Sequence, residues 1–121
     1  MKDFIKNLLA IKDAFSNSIS GLKYLTKERA FSQELALFIV VLLVFIFVDI
    51  PNFMKFYVFS SYILILITEA LNSAIETVVD RISLERSELS QKAKDIASFA
   101  VFIALVHFFI VILFTIVSNY M

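Results

Sequence analysis

Three long apolar stretches limit the folds open to this chain more than any other feature of its sequence. The first, LALFIVVLLVFIFV, occupies Leu35–Val48, and two more follow it. A membrane-spanning helix needs about 20 mostly apolar residues. Since 60% of the 121 residues are hydrophobic, well above the usual share in a soluble domain, the sequence predicts an all-α membrane protein with three transmembrane helices.

The boundaries of the three helices follow from the residues between them. We place the spans at about residues 29–48, 53–80 and 91–118, within a single membrane-embedded domain over residues 1–121. Pro51, in the sequence DIPN, cannot comfortably continue a helix. It therefore separates the first two spans by a tight turn, and a charged segment separates the second span from the third.

A further helix is predicted before the spans, over about residues 3–25. Apolar residues recur there at intervals of three and four, which is the periodicity of an amphipathic helix: Phe4, Leu8, Ile11, Phe15, Ile19 and Leu22. Because lysines flank this apolar face, we expect the helix to lie along the membrane surface. Packing against the protein's own spans is an equal alternative.

The distribution of basic residues predicts the orientation. Basic residues precede the first span and lie between the second and third: Lys2, Lys6, Lys12, Lys23, Lys27, Arg29, Arg81, Arg86, Lys92 and Lys94. The short loop between the first two spans offers only Lys55. The positive-inside rule then puts the N-terminus and the loop at residues 83–91 in the cytoplasm, and the C-terminus outside. We also expect the N-terminus to be retained, since MKDFIKNLLAIKDAF lacks the long apolar core of a signal peptide.

Composition argues against several classes of site. Eleven basic residues balance eleven acidic ones, so we expect no nucleic-acid partner. The sequence has no cysteine and one histidine, which leaves no thiolate metal site and no multi-histidine zinc site within one chain. Gly21 is the single glycine, so a glycine-rich phosphate loop cannot form. Side chains and a metal ion must therefore hold any phosphate.

A row of polar residues interrupts the second span. The segment ITEALNSAIETVVDRI contains Glu69, Asn72, Glu76 and Asp80, which we call the polar stripe. On a helix these positions fall within a sector of roughly 80° and extend over about 16 Å, with Ser73 at the edge of the sector. Ionisable residues within a membrane segment are costly and usually functional, so we expect the stripe to form a site, with Glu69 lying deepest.

Other polar residues are predicted to meet this stripe at the same end of the spans. Glu28 and Glu34 precede or open the first span, and Lys94 and Asp95 begin the third. Three carboxylates at nearby depth suit Mg²⁺, which prefers oxygen ligands and commonly bridges phosphates.

Simpler interpretations stay open for several of these residues. On the residues alone, four acidic residues are equally well explained as interfacial side chains that reach water: Glu28, Asp80, Glu85 and Glu88. Asn72 could simply bond another helix, and His107 is better explained as a packing residue than as a ligand.

Two segments carry a resemblance to a known family. EALNSAIETVVDRI followed by ELSQKAKDIASFAV resembles the prokaryotic diacylglycerol kinase family, and KERAFSQE is similar to the family's segment at the start of its first span. The resemblance runs from about residue 12 to residue 117. It implies a homotrimeric helical bundle in the bacterial inner membrane that uses Mg²⁺ and moves the γ-phosphate of ATP to a lipid hydroxyl.

The resemblance also implies roles for individual residues. Glu69 is similar to the general base, with Asn72 beside it on the catalytic face, and Glu28 and Glu76 match metal ligands. ATP-binding positions are Glu28, Glu76, Asp80, Glu85, Lys94 and Asp95, and lipid-substrate positions are Glu34, Glu69 and Ser98. Departures from the family pattern occur at Ser32, where an arginine is common, and at Ser87, where a histidine is expected.

The preferred interpretation is a diacylglycerol kinase that produces phosphatidic acid. The nearest alternative is the same chemistry on undecaprenol, because the spacing of Gly21 and Glu28 is more typical of that branch. A small proton-coupled multidrug transporter also needs an intramembrane glutamate, but its polar groups must be reachable from both sides. A purely structural subunit would leave the polar stripe without a purpose.

Overall fold

A computed structural model describes all of residues 1–121 and contains four helices and no strand. The helices are α1 (Lys2–Leu25), α2 (Arg29–Phe47), α3 (Asn52–Ile82) and α4 (Glu88–Tyr120). Three of them, α2, α3 and α4, are long and apolar enough to cross a membrane. The predicted all-α fold with three transmembrane helices is therefore confirmed.

Helix α4 begins three residues before the start that we placed at residue 91, because a serine caps it. The Ser87 side chain accepts a hydrogen bond from the backbone N–H of Ser90 at 3.1 Å, which satisfies one of the free donors at a helix start. The residues just before position 91 are mostly polar and show no apolar periodicity, so the sequence did not predict this first turn.

The turn between α2 and α3 is held at both ends. Pro51 is the N-cap residue of α3, and its carbonyl oxygen accepts hydrogen bonds from the backbone N–H groups of Met54 and Lys55. The Lys55 Nζ atom donates to the carbonyl oxygen of Ile46 at 3.4 Å. Since the last carbonyls of a helix have no partner within it, Lys55 partly satisfies the end of α2.

The core lies where α3 packs along α4, with α2 covering one side. Tyr62, Ile65 and Ala104 form its centre, each at most 2% exposed. Phe38 and Phe108 pack against the Tyr62 ring with centroids 5.2 and 5.1 Å away, Phe38 tilted and Phe108 edge-on. Helix α4 contacts α3 over a much greater length than α2 does, so most of the packing within the chain lies between α3 and α4.

A leucine at position 104 will destabilise the protein. The Ala104 side chain is 1% exposed between α3 and α4, so the extra atoms of Ala104→Leu must push the helices apart, at a cost of about 1–3 kcal/mol. Titration with SDS in mixed micelles will measure this as a lower free energy of unfolding. Ala100→Leu, at an exposed position one turn earlier, is the control and will unfold at the wild-type midpoint. Equal midpoints for all three proteins would contradict the packing described here.

Unequal helix lengths create a polar end of the bundle, which we define as residues 26–28 and 83–87 with the helix ends beside them. Helix α3 has 31 residues and α2 has 19, a difference of about 18 Å at 1.5 Å per residue. Because α2 matches the thickness of a bilayer core, the last turns of α3 and the first turns of α4 project beyond it. The outer half of the polar stripe lies at this level.

Most of helix α1 does not pack against the spans. None of its residues is buried, and its apolar side chains are exposed, for example Phe4 at 67% and Phe15 at 69%. Only its last turns, at Gly21 and Leu25, lie beside α3, where they line one side of a concavity. The apolar face of α1 is free to contact the membrane surface.

Candidate active site

The polar stripe lies on one side of α3 and passes from partly buried to exposed toward the polar end. Glu69 and Asn72 are partly buried, whereas Glu76 and Asp80 are exposed. The inner half of the stripe is therefore screened from solvent by α2 and α4, and the outer half is open.

Glu34 of α2 faces the innermost residue of the stripe. The carboxyl groups of Glu34 and Glu69 lie within hydrogen-bonding reach of each other. The Tyr62 hydroxyl donates to the backbone carbonyl of Glu34 at 2.9 Å, which fixes this turn of α2 against α3. The Oε2 atom of Glu34 is buried without a hydrogen-bond partner, so it can accept a hydrogen bond from a donor group of a bound molecule.

Glu28 reaches the stripe from the connection between α1 and α2. It is the N-cap residue of α2 but makes no capping hydrogen bond. Its Oε2 atom instead accepts a hydrogen bond of 2.5 Å from the Ser73 hydroxyl on α3. The sequence placed Ser73 only at the edge of the stripe and did not predict this contact. The position of Ser73 on the same helix face was the one signal that could have indicated it.

Asn72 and Glu76 hold each other on α3. The Asn72 amide nitrogen donates to Glu76 Oε1 at 3.3 Å, so within the single chain this group bonds its own helix. The Asn72 Oδ1 atom is buried and has no partner. An unpaired buried acceptor is costly, and a cation or a donor group would satisfy it.

The carboxylates do not form a ready-made metal cage. No group of three His, Cys, Asp or Glu side chains is close enough to hold a metal ion, so the expectation of three converging carboxylates is not met. Mg²⁺ commonly uses one or two carboxylates together with substrate phosphates and water. Glu28, Glu76 and the unpaired Asn72 oxygen offer that donor set, and the residues fit this ion when phosphate supplies the remaining ligands.

The outer part of the site is formed by α4 and the loop before it. Lys94 Nζ lies 2.7 Å from Asp80 Oδ1, joining α4 to the end of the stripe. Glu85 lines the same concavity of about 150 Å³. Asp95 accepts a hydrogen bond from Gln91 at 2.8 Å and lines a separate concavity of about 590 Å³. The predicted nucleotide-side residues thus divide between two neighbouring concavities.

An apolar cavity adjoins the inner part of the site. It has a volume of about 340 Å³, and most of its lining is hydrophobic: Ala30, Leu37, Tyr62, Ile65, Leu105 and Phe108. Glu34 also lines it. An apolar surface therefore lies next to Glu34 and Glu69, the deepest carboxyl groups of the site.

Two residues predicted from the sequence lie away from this cluster. Ser98 is exposed on α4 and makes no side-chain hydrogen bond with the stripe. His107 is also exposed on α4, so it does not pack within the single chain, and the packing role preferred for it stays a prediction.

Three spanning helices with a row of carboxylates at one end define a small integral membrane protein with an acidic site at the edge of its apolar region. The sequence profile of the prokaryotic diacylglycerol kinase family matches residues 16–116. The chain belongs to this family, and the resemblance seen in its motifs is confirmed.

Several relatives named diacylglycerol kinase are similar to this chain. A protein of Sinorhizobium is 41% identical over 79% of this chain and 68% of its own length. The Escherichia coli K12 protein is 43% identical over 65% of each chain. The Haemophilus influenzae protein is 45% identical over 73% of this chain and 75% of its own. The chain thus spans about two thirds of the Sinorhizobium and E. coli relatives.

Proposed function

We propose that this protein transfers the γ-phosphate of ATP to the hydroxyl of diacylglycerol and so produces phosphatidic acid. The observation that carries the proposal is a row of four carboxyl groups, from α2, α3 and the connection before α2, that runs from an apolar cavity toward the polar end: Glu28, Glu34, Glu69 and Glu76. A lipid alcohol and a nucleotide must meet at such a boundary. The family and the names of its relatives support the choice of substrates.

The reaction requires alignment and charge neutralisation more than covalent chemistry by the protein. The lipid hydroxyl oxygen forms a bond to the γ-phosphorus, the bond from that phosphorus to the β–γ bridging oxygen breaks, and ADP departs. Glu69 accepts the hydroxyl proton, and Glu34 orients the alcohol from α2. A proton acceptor in this position contributes roughly 10²- to 10⁴-fold to the rate.

The nucleotide occupies the exposed half of the stripe. Glu28 and Glu76, with Asn72 beside them, would hold Mg²⁺, which neutralises phosphate charge when bound. Lys94, paired with Asp80 at 2.7 Å, lies near enough to reach the phosphates by exchanging partners. Nucleotide-side roles for Glu85 and Asp95, and a lipid contact at Ser98, are part of the same proposal.

The setting of the enzyme is also proposed. ATP is cytoplasmic, so the polar end faces the cytoplasm of a bacterial inner membrane and the C-terminus lies outside, as the basic residues indicate. A homotrimer is part of the proposal because the family resemblance implies it, and because three spans in one chain enclose little of a site.

A transfer assay separates this function from its alternatives. Purified protein in mixed micelles receives labelled Mg·ATP with diacylglycerol in one sample and undecaprenol in another. We expect labelled phosphatidic acid and little transfer to undecaprenol. Preference for undecaprenol would assign the other acceptor, and no transfer to either by folded protein would contradict the kinase proposal. The transporter finds no support, because the polar groups of the stripe converge on one end of the bundle.

A further inference from the structure

We infer that Ser73 is a positioning residue that holds the Glu28 carboxylate in the orientation needed to bind a divalent cation, an inference that rests on the proposed function. Ser73 is 8% exposed, and its Oγ atom lies 2.5 Å from Glu28 Oε2. No other side-chain hydrogen bond joins the connection at residues 26–28 to α3. Without Ser73, the Glu28 side chain has no partner that fixes it beside the stripe.

The hydroxyl of Ser73 behaves differently from those of Ser61, Thr68 and Thr77 on the same helix. Serine and threonine within helices usually bond a carbonyl of their own preceding turn. Ser61 does so, with its Oγ 2.7 Å from the carbonyl oxygen of Val58, and Thr77 donates to the carbonyl oxygen of Ser73 at 2.8 Å. Ser73 instead reaches across to a carboxylate that lies 45 residues earlier in the chain.

Ser73 and its neighbour support two carboxylates in the same way. Asn72 donates to one oxygen of Glu76 at 3.3 Å, and Ser73 donates to one oxygen of Glu28. In each case the second carboxylate oxygen makes no hydrogen bond within the chain. Metal-binding carboxylates are commonly oriented by such hydrogen bonds, whose removal lowers metal affinity by roughly 10- to 100-fold.

A purely structural role for Ser73 would have another signature. If the hydrogen bond only tied residues 26–28 to α3, its loss would lower stability and leave cation affinity unchanged. If it orients Glu28, its loss will raise the cation concentration needed for half-saturation, and high concentrations will restore the maximal rate. The two roles therefore separate in a binding measurement.

The experiment measures Mn²⁺ binding to the full chain in mixed micelles by electron paramagnetic resonance, with β,γ-methylene-ATP as a nucleotide that cannot transfer its phosphate. We expect Ser73→Ala to raise the half-saturating Mn²⁺ concentration roughly tenfold or more. Ser73→Cys, nearly the same size but a weak donor, will do the same if the alanine variant folds poorly. Ser73→Thr will bind like the wild type, because position 73 lines a cavity of about 550 Å³ with room for a methyl group.

Ser61→Ala is the matched control, since Ser61 is also buried on α3 but bonds only its own helix. Wild-type Mn²⁺ affinity in the folded alanine or cysteine variant, or an equal loss in Ser61→Ala, would overturn the inference. Ser73-dependent binding in a wild-type protein that transfers no phosphate to lipid would defeat the proposed function and leave this inference standing. If the wild type transfers phosphate to lipid and the Ser73 variants bind Mn²⁺ with wild-type affinity, this inference alone is wrong.

Discussion

Replacing Glu69 by glutamine will reduce lipid phosphorylation roughly 10²- to 10⁴-fold, the contribution expected of a positioned proton acceptor. The substitution keeps the size and hydrogen-bonding shape of the side chain but removes its ability to take the hydroxyl proton. Glu69 is partly buried on α3 and faces Glu34, so no exposed carboxylate can replace it without moving. The loss will appear in the rate at saturating Mg·ATP and saturating lipid.

Thr68→Val is the control for this result. Thr68 lies beside Glu69 at the same depth, but its hydroxyl bonds only carbonyl groups of its own helix, those of Leu64 and Ile65. We expect this variant to retain wild-type activity, and both variants to keep the wild-type helical circular dichroism. A Glu69→Gln protein that is folded and active at the wild-type rate would show that the proton acceptor lies elsewhere.

Replacing Glu76 by glutamine will have the second largest effect, through the metal requirement. The neutral amide can keep its contact with Asn72 but supplies no charge to a cation that bridges phosphates. We expect activity at millimolar Mg²⁺ to fall about 10²-fold, within the range that mutation of electrostatic transition-state contacts produces. Titration of the rate with Mg²⁺ will show a shifted midpoint, with much of the rate recovered at high concentration.

The response to Mg²⁺ distinguishes the two glutamate variants. Excess cation will not restore Glu69→Gln, because the missing function there is proton acceptance. Asp49→Asn, which neutralises an exposed carboxylate at the opposite end of the bundle, will have the wild-type midpoint. An unchanged midpoint in Glu76→Gln would remove this residue from the metal site.

The sequence predicted the spanning helices and the polar stripe well because both depend on local patterns. Apolar length decides which segments can cross a membrane, and a helical repeat decides that Glu69 and Asn72 share a face. Neither feature depends on how the helices pack against one another. The family motif added roles for individual residues that the stripe alone could not supply, and these roles stay predictions.

Contacts between distant segments could not be read from the sequence. The hydrogen bond from Ser73 to Glu28 depends on where the connection after α1 passes α3, and no local pattern encodes that crossing. The division between the concavity of Asp80 and that of Asp95 depends likewise on how α4 is rotated against α3. His107 shows the same limit, since apolar neighbours do not reveal which face of a helix meets another helix.

The bare surface of α1 has a consequence for the site that it precedes. Helix α1 has 24 residues and no buried side chain, so its amphipathic face lacks most of the packing that usually stabilises a helix in a protein. The free energy that orders α1 must come from its surroundings. Since only three residues separate α1 from α2, and Glu28 is the last of them, we expect the position of α1 on the bilayer surface to affect the proposed metal ligand. The lipid composition around the protein would then alter the affinity of its site.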